Sequence, residues 1–305
     1  MATSRHFTPG RARLFAPIYV GNVCSNDCLY CGYRRSNKAL PRTWLNSQEA
    51  ALEAATLVSR GVHRVLVLCG EVPEHLYIDR FAACVDAIRR TPGIEWLGVE
   101  VAPISSSSCK RLLDAGADAF IVFQESYDRN VYGSVHPRGD LKADFDHRRE
   151  SLAVAVSAGF REVGLGVLYG LADPTEETDH MIAHARELSS SSVSVRLSFP
   201  RLRPSLGAAL KGPLREVSEI ELAHSIVHSR LSLPKAGIAL TARESLSFRT
   251  SLLGIATEFG AGGSTTVGGY ASRPASEHTE QFLLLDRNPA SHFISVAAQH
   301  GFQVR

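Results

Sequence analysis

Short β-branched runs alternate with longer amphipathic segments along almost the whole of this 305-residue chain, and that alternation leaves few folds open. The runs are PIYVGN (17–22), RVLVLCG (64–70), WLGVEVA (96–102), AFIVFQE (119–125), EVGLGVLYG (162–170), SVSVRLSFP (192–200), GIALTARE (237–244) and ATEFG (256–260). Segments with helical periodicity separate them, the first predicted to start at Ser47 as N-cap and to close at Gly61. Eight strands alternating with helices predict a closed (β/α)8 barrel of the TIM type. No linker rich in Pro, Gly or Ser divides the chain, so one domain is expected: a lead-in over 1–13, then barrel and C-terminal helix over 14–305. The one long polar interruption, SYDRNVYGSVHPRGDLKAD (126–144), is expected to be a lid or binding loop.

Chemistry in such a barrel belongs at the C-terminal ends of the strands. The unusual residues fall there in succession: three cysteines after the first strand, Gly70-Glu71, Glu100, Gln124-Glu125, Tyr169-Gly170, Arg201 and Arg203, then Arg243-Glu244. The last strand runs into FGAGGSTTVGG. Carboxylates and arginines set around the whole ring suit a zwitterionic ligand.

The cysteines, in NVCSNDCLYCGYRRSNK, are Cys24, Cys28 and Cys31, a C-x3-C-x2-C loop. Three thiolates on one short loop suit an iron–sulfur cube, which has four irons and would keep one open to a non-protein ligand. Zinc competes for such a loop, but a structural zinc site closes with a fourth Cys or His at short spacing, and the next ones in sequence are His63 and Cys69. Cys69, Cys84 and Cys109 are expected as buried small hydrophobes. His180 and His184 lie at i, i+4 on one helix but have no third ligand, and are expected on a solvated face. GAGGS has no Walker lysine behind it, and no G-x-S-x-G supports a hydrolase.

Composition excludes several classes. A net charge of +2 gives no case for nucleic acid or an anionic membrane, and no apolar run approaches the ~20 residues of a spanning helix. The N-terminus lacks the apolar region of a signal peptide, and the cysteine usage fits a reducing compartment. The cytoplasm is the expected location.

The cysteine loop, with Tyr30 before its last cysteine, resembles that of the radical S-adenosylmethionine (SAM) superfamily. CGYRRSNK, FQESYD, GVLYGL, SFPRLRP, TARE and TTVGGY, from about Leu14 onward, resemble its aromatic amino acid lyase branch. That resemblance implies a [4Fe-4S] cluster on the three cysteines and SAM on its open iron. Gly70 and Glu71 match the "GE" element at the SAM ammonium, Glu100 would face the SAM ribose, Gln124 would lie in the same site, and Arg148 would take the SAM carboxylate by its planar fork. Arg243 would clamp the substrate carboxylate, Tyr19 would lie beside the substrate, and Arg201 and Arg203 match an R-x-R-P element able to neutralise pocket charge.

The implied reaction removes hydrogen from the amino nitrogen of a free aromatic amino acid, and the side chain then parts from Cα. Tyrosine would give p-cresol and dehydroglycine. Tryptophan or another amino acid is the alternative substrate, because Gly260 stands where the branch carries a serine. A non-catalytic scaffold binding cluster and SAM is the remaining alternative. A flavodoxin- or ferredoxin-type protein is the expected reductant. The chain ends at Arg305, so an auxiliary cluster on a C-terminal domain is not expected.

Overall fold

The computed structural model describes residues 10–271 and 279–304. Eight parallel strands close into a barrel: β1 (Arg11–Gly21), β2 (Arg64–Cys69), β3 (Trp96–Glu100), β4 (Ala119–Ile121), β5 (Glu162–Gly166), β6 (Ser194–Ser198), β7 (Gly237–Leu240) and β8 (Glu258–Gly260). Each pairs with its neighbours in sequence, and β1 closes the ring by pairing with both β2 and β8. The register runs Ala16 with Val65 on one side and Leu14 with Phe259 on the other. Outside lie α1 (Ser47–Ser59), α2 (Ile78–Arg89), α3 (Ser106–Asp114), α4 (Arg129–Val135), α5 (Phe145–Ala158), α6 (Pro174–Leu188), α7 (Glu219–Ser232), α8 (Leu246–Ser251) and α9 (Ala290–Gln299). Strands covered on both faces are largely apolar, which is why β2 runs VLVLC without a polar residue after Arg64.

Local chemistry sets the ends of these elements. Helix α1 is capped by Asn46 rather than Ser47: the Asn46 side chain accepts from Glu49 N, and Glu49 answers to Asn46 N in a capping box. Asp173 caps α6 just ahead of Pro174, where a missing N–H costs nothing. No helix among the described residues is long and apolar enough to cross a membrane.

Two departures from the sequence pattern concern the rim. Strand β1 begins at Arg11, and a two-residue strand β9 (Gln303–Val304) pairs in parallel with Arg11 and Ala12. Arginines at 11 and 13 interrupt the apolar run and hide a strand whose Ala12 and Leu14 are buried. The polar segment 126–144 holds the seven-residue helix α4, capped by Asp128. Its Gly133 and two valines give it no helical signature.

Candidate active site

The excursion from β1 to α1 carries the cysteines, and its base is sealed by hydrogen bonds. Arg42 donates to the carbonyls of Asn22, Tyr33, Arg34 and Asn37 at 2.7, 2.7, 2.6 and 3.2 Å. Asn22 accepts from Thr43 N (2.7 Å) and donates to Pro41 O (2.9 Å). The loop rests on the end of β2, where Ser25 N donates to Glu71 O at 2.7 Å. Gly70 permits this contact: a Cβ there would lie 2.2 Å from Val23 O and 3.1 Å from Cys24 Cβ. The glycine thus serves the cysteine loop itself, whereas the sequence pattern assigns it to the ligand. Gly70→Ala is expected to displace the loop at a cost of about 1–3 kcal/mol, seen as a lower iron-to-protein ratio after reconstitution at unchanged helix content.

Cys24, Cys28 and Cys31 are free thiols lining one cavity. Burial pushes all three up, Cys24 to about 12, and bound iron would reverse that by holding them as thiolates. The Cys31 sulfur accepts from Tyr33 N at 3.4 Å and from Gln281 Nε2 at 3.6 Å, donors that stabilise a thiolate. Thiolates on one zinc, each ~2.3 Å from the ion, sit within ~4 Å of one another. No three His, Cys, Asp or Glu among the described residues converge in that way. Three cysteines spread around one cavity fit a cluster, in which each thiolate takes its own iron.

The same cavity is walled by a network of four charges, three of them buried and the fourth, Glu71, partly so. Arg148 Nη1 lies 3.0 Å from Glu71 Oε1, and Lys142 Nζ lies 2.6 Å from Glu125 Oε1 and 3.7 Å from Glu71. Arg148 Nε donates to Phe123 O at 2.6 Å, and Asn26 Nδ2 donates to Glu71 Oε2 at 2.7 Å. Burial alone would raise the Glu71 carboxyl, but Arg148 and Lys142 outweigh it and hold the group at about 2. Lys142 is held charged by Glu125 and Glu71 against its own burial and the repulsion of Arg148.

A second cavity continues the first into the barrel, with Tyr19, Glu100, Glu125, Leu68 and Gln281 lining both. Tyr19 Oη donates to Gln281 Oε1 at 2.7 Å, so Gln281 links this tyrosine to the Cys31 sulfur. The Glu100 side chain makes no hydrogen bond or ion pair among the described residues, and burial, then Glu125, lifts its carboxyl to about 7. Arg243 lies 3.4 Å from the Phe282 ring centroid, and its Nη1 donates to Arg201 O at 3.2 Å. Among the described residues Arg243 pairs with no carboxylate, although burial disfavours its charge. Gly260 lines this chamber, and a Cβ there would lie 3.3 Å from Thr241 Cα.

Three residues expected in the site lie elsewhere. Gln124 is turned away, with Nε2 on Phe145 O at 3.3 Å, because successive residues of extended chain point to opposite sides. Its neighbour Glu125, at a positive φ of 71°, faces the cavity instead. Arg201 and Arg203 neutralise no pocket charge. Arg201 Nε reaches both oxygens of buried Glu244 at 3.0 Å, and Arg203 binds Glu244 at 2.9 Å and Arg243 O at 2.6 Å. They brace the segment that presents Arg243.

Lys142, Gln281 and His136 went unpredicted. His136 is buried with Nε2 2.8 Å from Tyr30 Oη, and burial depresses it to about 2. His184 is also buried, with Nδ1 2.8 Å from Tyr127 Oη, so only His180 lies on the solvated face expected for both.

Comparison with known proteins agrees with this geometry. Residues 18–188 match the model of the radical SAM superfamily, and residues 198–303 match that of the biotin and thiamin synthesis associated domain. The chain is 32% identical to 2-iminoacetate synthase of Escherichia coli over 290 residues, covering 93% of this chain and 75% of that one. It superposes on the FeFe-hydrogenase maturase HydG from Carboxydothermus hydrogenoformans with a TM-score of 0.88 at 33% identity, covering 97% and 68% of the two chains. Methylornithine synthase shares the fold, with a TM-score of 0.76 at 21% identity. The chain belongs to the radical SAM superfamily, beside the 2-iminoacetate synthases, and its cofactors are a [4Fe-4S] cluster and SAM.

Proposed function

We propose that the protein is a radical SAM lyase that cleaves free tyrosine between Cα and Cβ, giving p-cresol and dehydroglycine. The observation that carries this reading is the continuity of a cysteine-lined cavity with an apolar chamber in which Arg243 has no carboxylate partner among the described residues. A relative that makes 2-iminoacetate, which is dehydroglycine, supports it.

Cys24, Cys28 and Cys31 would hold the cluster. Reduced cluster and SAM together supply a 5′-deoxyadenosyl radical, the hydrogen acceptor for the substrate. The chain's own residues bind and orient. Glu71 and Arg148 offer opposite charges to the methionyl ammonium and carboxylate of SAM, and Lys142 and Glu125 keep that charge pair balanced. Arg243 takes the substrate carboxylate by its fork, held in place by Phe282 and the Arg201 carbonyl. Clamped there, the substrate's amino nitrogen faces the shared boundary of Tyr19, Glu100 and Gln281, and its ring enters the apolar chamber. Closure of the barrel around the ring excludes water and other hydrogen donors.

Anaerobic reaction of the reconstituted enzyme with tyrosine, SAM and dithionite is expected to yield p-cresol and glyoxylate, the hydrolysis product of dehydroglycine. 5′-Deoxyadenosine that tyrosine does not stimulate sinks the substrate assignment.

Glu100 gives a pH-dependent signature. Its ionised form accepts two hydrogen bonds from the SAM ribose, and its protonated form gives up one of those acceptors. SAM affinity is therefore expected to rise as pH climbs through about 7, and Glu100→Gln to flatten that rise in calorimetric titrations. The sign for the empty protein is opposite. A raised carboxyl costs nothing below the ordinary carboxylate range, and its charge costs stability as pH rises through about 7.

A further inference from the structure

Beyond Arg243 and the residues it shares with the cysteine cavity, the chamber carries four polar side chains: Thr241 and Thr265, from the segments after β7 and β8, and Arg196 and Ser198, both on β6. Arg196 and Ser198 line it beside Phe15, Leu66, Ile121 and Phe123. Arg196 is 2% exposed and Ser198 6%, so both polar groups are withheld from bulk water. Arg196 packs against two aromatic rings, its Cζ 4.5 Å from the Phe15 centroid and 5.1 Å from that of Trp96. Glu258 Oε2 lies 3.3 Å from its Nε and 3.6 Å from Arg64 Nη2. The charge is thus compensated from behind, but no nitrogen of the Arg196 guanidinium makes a hydrogen bond to another described residue. The Ser198 hydroxyl has no hydrogen-bond partner among the described residues either. A guanidinium fixed in an apolar wall, with hydrogen-bonding capacity that the protein leaves unused, suits an acceptor carried by the ligand.

Position names the part of the ligand. Arg243 follows the C-terminal end of β7, where the carboxylate of an amino acid would sit. Arg196 lies four residues down the β6 chain from Pro200, ~13 Å of extended chain toward the barrel floor. A side chain that hangs from Arg243 through the apolar stretch points its far end at Arg196.

Resting on the amino acid lyase assignment, we propose that Arg196 and Ser198 are the specificity-determining residues of the chamber, selecting an aromatic amino acid with a hydrogen-bond acceptor at the far end of its ring. A phenolic oxygen accepts from Arg196 and exchanges a hydrogen bond with Ser198. Phenylalanine leaves both unanswered. The indole N–H of tryptophan is a donor only: it can give its hydrogen to the Ser198 hydroxyl, but it leaves the Arg196 guanidinium, which cannot accept, unanswered. A site built to hydrogen-bond a substrate hydroxyl rejects the analogue lacking it far more strongly than an apolar pocket rejects a change of size.

The test is equilibrium binding of tyrosine, phenylalanine and tryptophan to the reconstituted, SAM-loaded enzyme without reductant, so that no turnover intrudes. Tyrosine is expected to bind tighter than phenylalanine by about 100-fold or more. Ser198→Ala, which leaves the ion pairs intact, is expected to weaken tyrosine by about tenfold and to leave phenylalanine unchanged. Arg196→Met, which leaves Glu258 its ion pair with Arg64, is expected to abolish the preference. Equal affinity of the unaltered enzyme for tyrosine and phenylalanine, tighter binding of tryptophan, or equal losses for all ligands in Ser198→Ala would overturn the proposal. Selective binding of tyrosine that is then not cleaved would instead overturn the lyase assignment and leave this one standing.

Discussion

Alanine at Cys24, Cys28 or Cys31 is expected to remove iron and SAM cleavage together, whereas alanine at Cys69 is expected to spare both. All four cysteines line the same cavity, so proximity alone does not separate them. Their backbone settings do. The first three stand on the excursion that Arg42 and Asn22 hold closed, with Cys31 accepting two N–H donors. Cys69 is the last residue of β2, fixed by barrel pairing to Gly21. Loss of one thiolate leaves an iron without its protein ligand, and the expected fall in 5′-deoxyadenosine formation is on the order of 10³-fold or more, about 4 kcal/mol. Cys69→Ala trims a small, half-buried group at about 1 kcal/mol of stability. Iron and sulfide analysis of the four reconstituted variants reads this out, and four equal losses would show that the loop is not the distinguishing feature.

The second large effect belongs to Arg243. Arg243→Gln is expected to weaken tyrosine binding and kcat/KM by roughly 10²–10³-fold, about 3–4 kcal/mol, because a buried carboxylate loses its charged partner. SAM binding is expected to hold, since Arg243 does not line the cysteine cavity. Arg243→Lys is expected to recover little, because a point charge cannot reproduce the fork or the stacking on Phe282. Steady-state kinetics beside calorimetry for SAM checks both halves. A variant that loses the two ligands equally would mark Arg243 as a brace for the whole site, the part that Arg201 and Arg203 play for Arg243 itself.

Much of this site is legible in the sequence because barrel topology sends strand ends to one rim. Cys24, Cys28, Cys31, Glu71, Glu100 and Arg243 can be placed from position alone, and they line the two cavities. Where that reasoning fails, a strand end is taken without its side. Gln124 and Glu125 share one end, but only Glu125 faces inward, turned by a left-handed backbone that nothing in QES announces. Arg201 and Arg203 read as pocket cations because Glu244 could not be known to claim both. Lys142 looks like any solvated lysine in a polar segment until Glu125 and Glu71 are brought to it by the fold. Gln281 serves Tyr19 across 262 residues, a separation that leaves no local pattern to read. The floor is a different case: Arg196 falls in SVSVRLSFP, where polar and apolar residues alternate without a break, and the fold turns the polar set, Arg196 and Ser198, toward the chamber. The alternation is visible in the sequence, but the side that the polar set takes comes only with Phe15, Trp96 and Glu258 around Arg196.

As a tyrosine lyase of the proposed kind, the chain presents the amino group of tyrosine, rather than a carbon centre, to the hydrogen acceptor. Carbon-bound hydrogens keep their isotope in deuterium oxide, while amino hydrogens exchange freely with it. The anaerobic reaction run in deuterium oxide with ordinary tyrosine, read by mass spectrometry of 5′-deoxyadenosine, separates the two. Deuterium is expected in that product, formed alongside p-cresol. 5′-Deoxyadenosine free of deuterium, appearing with tyrosine present, would contradict it.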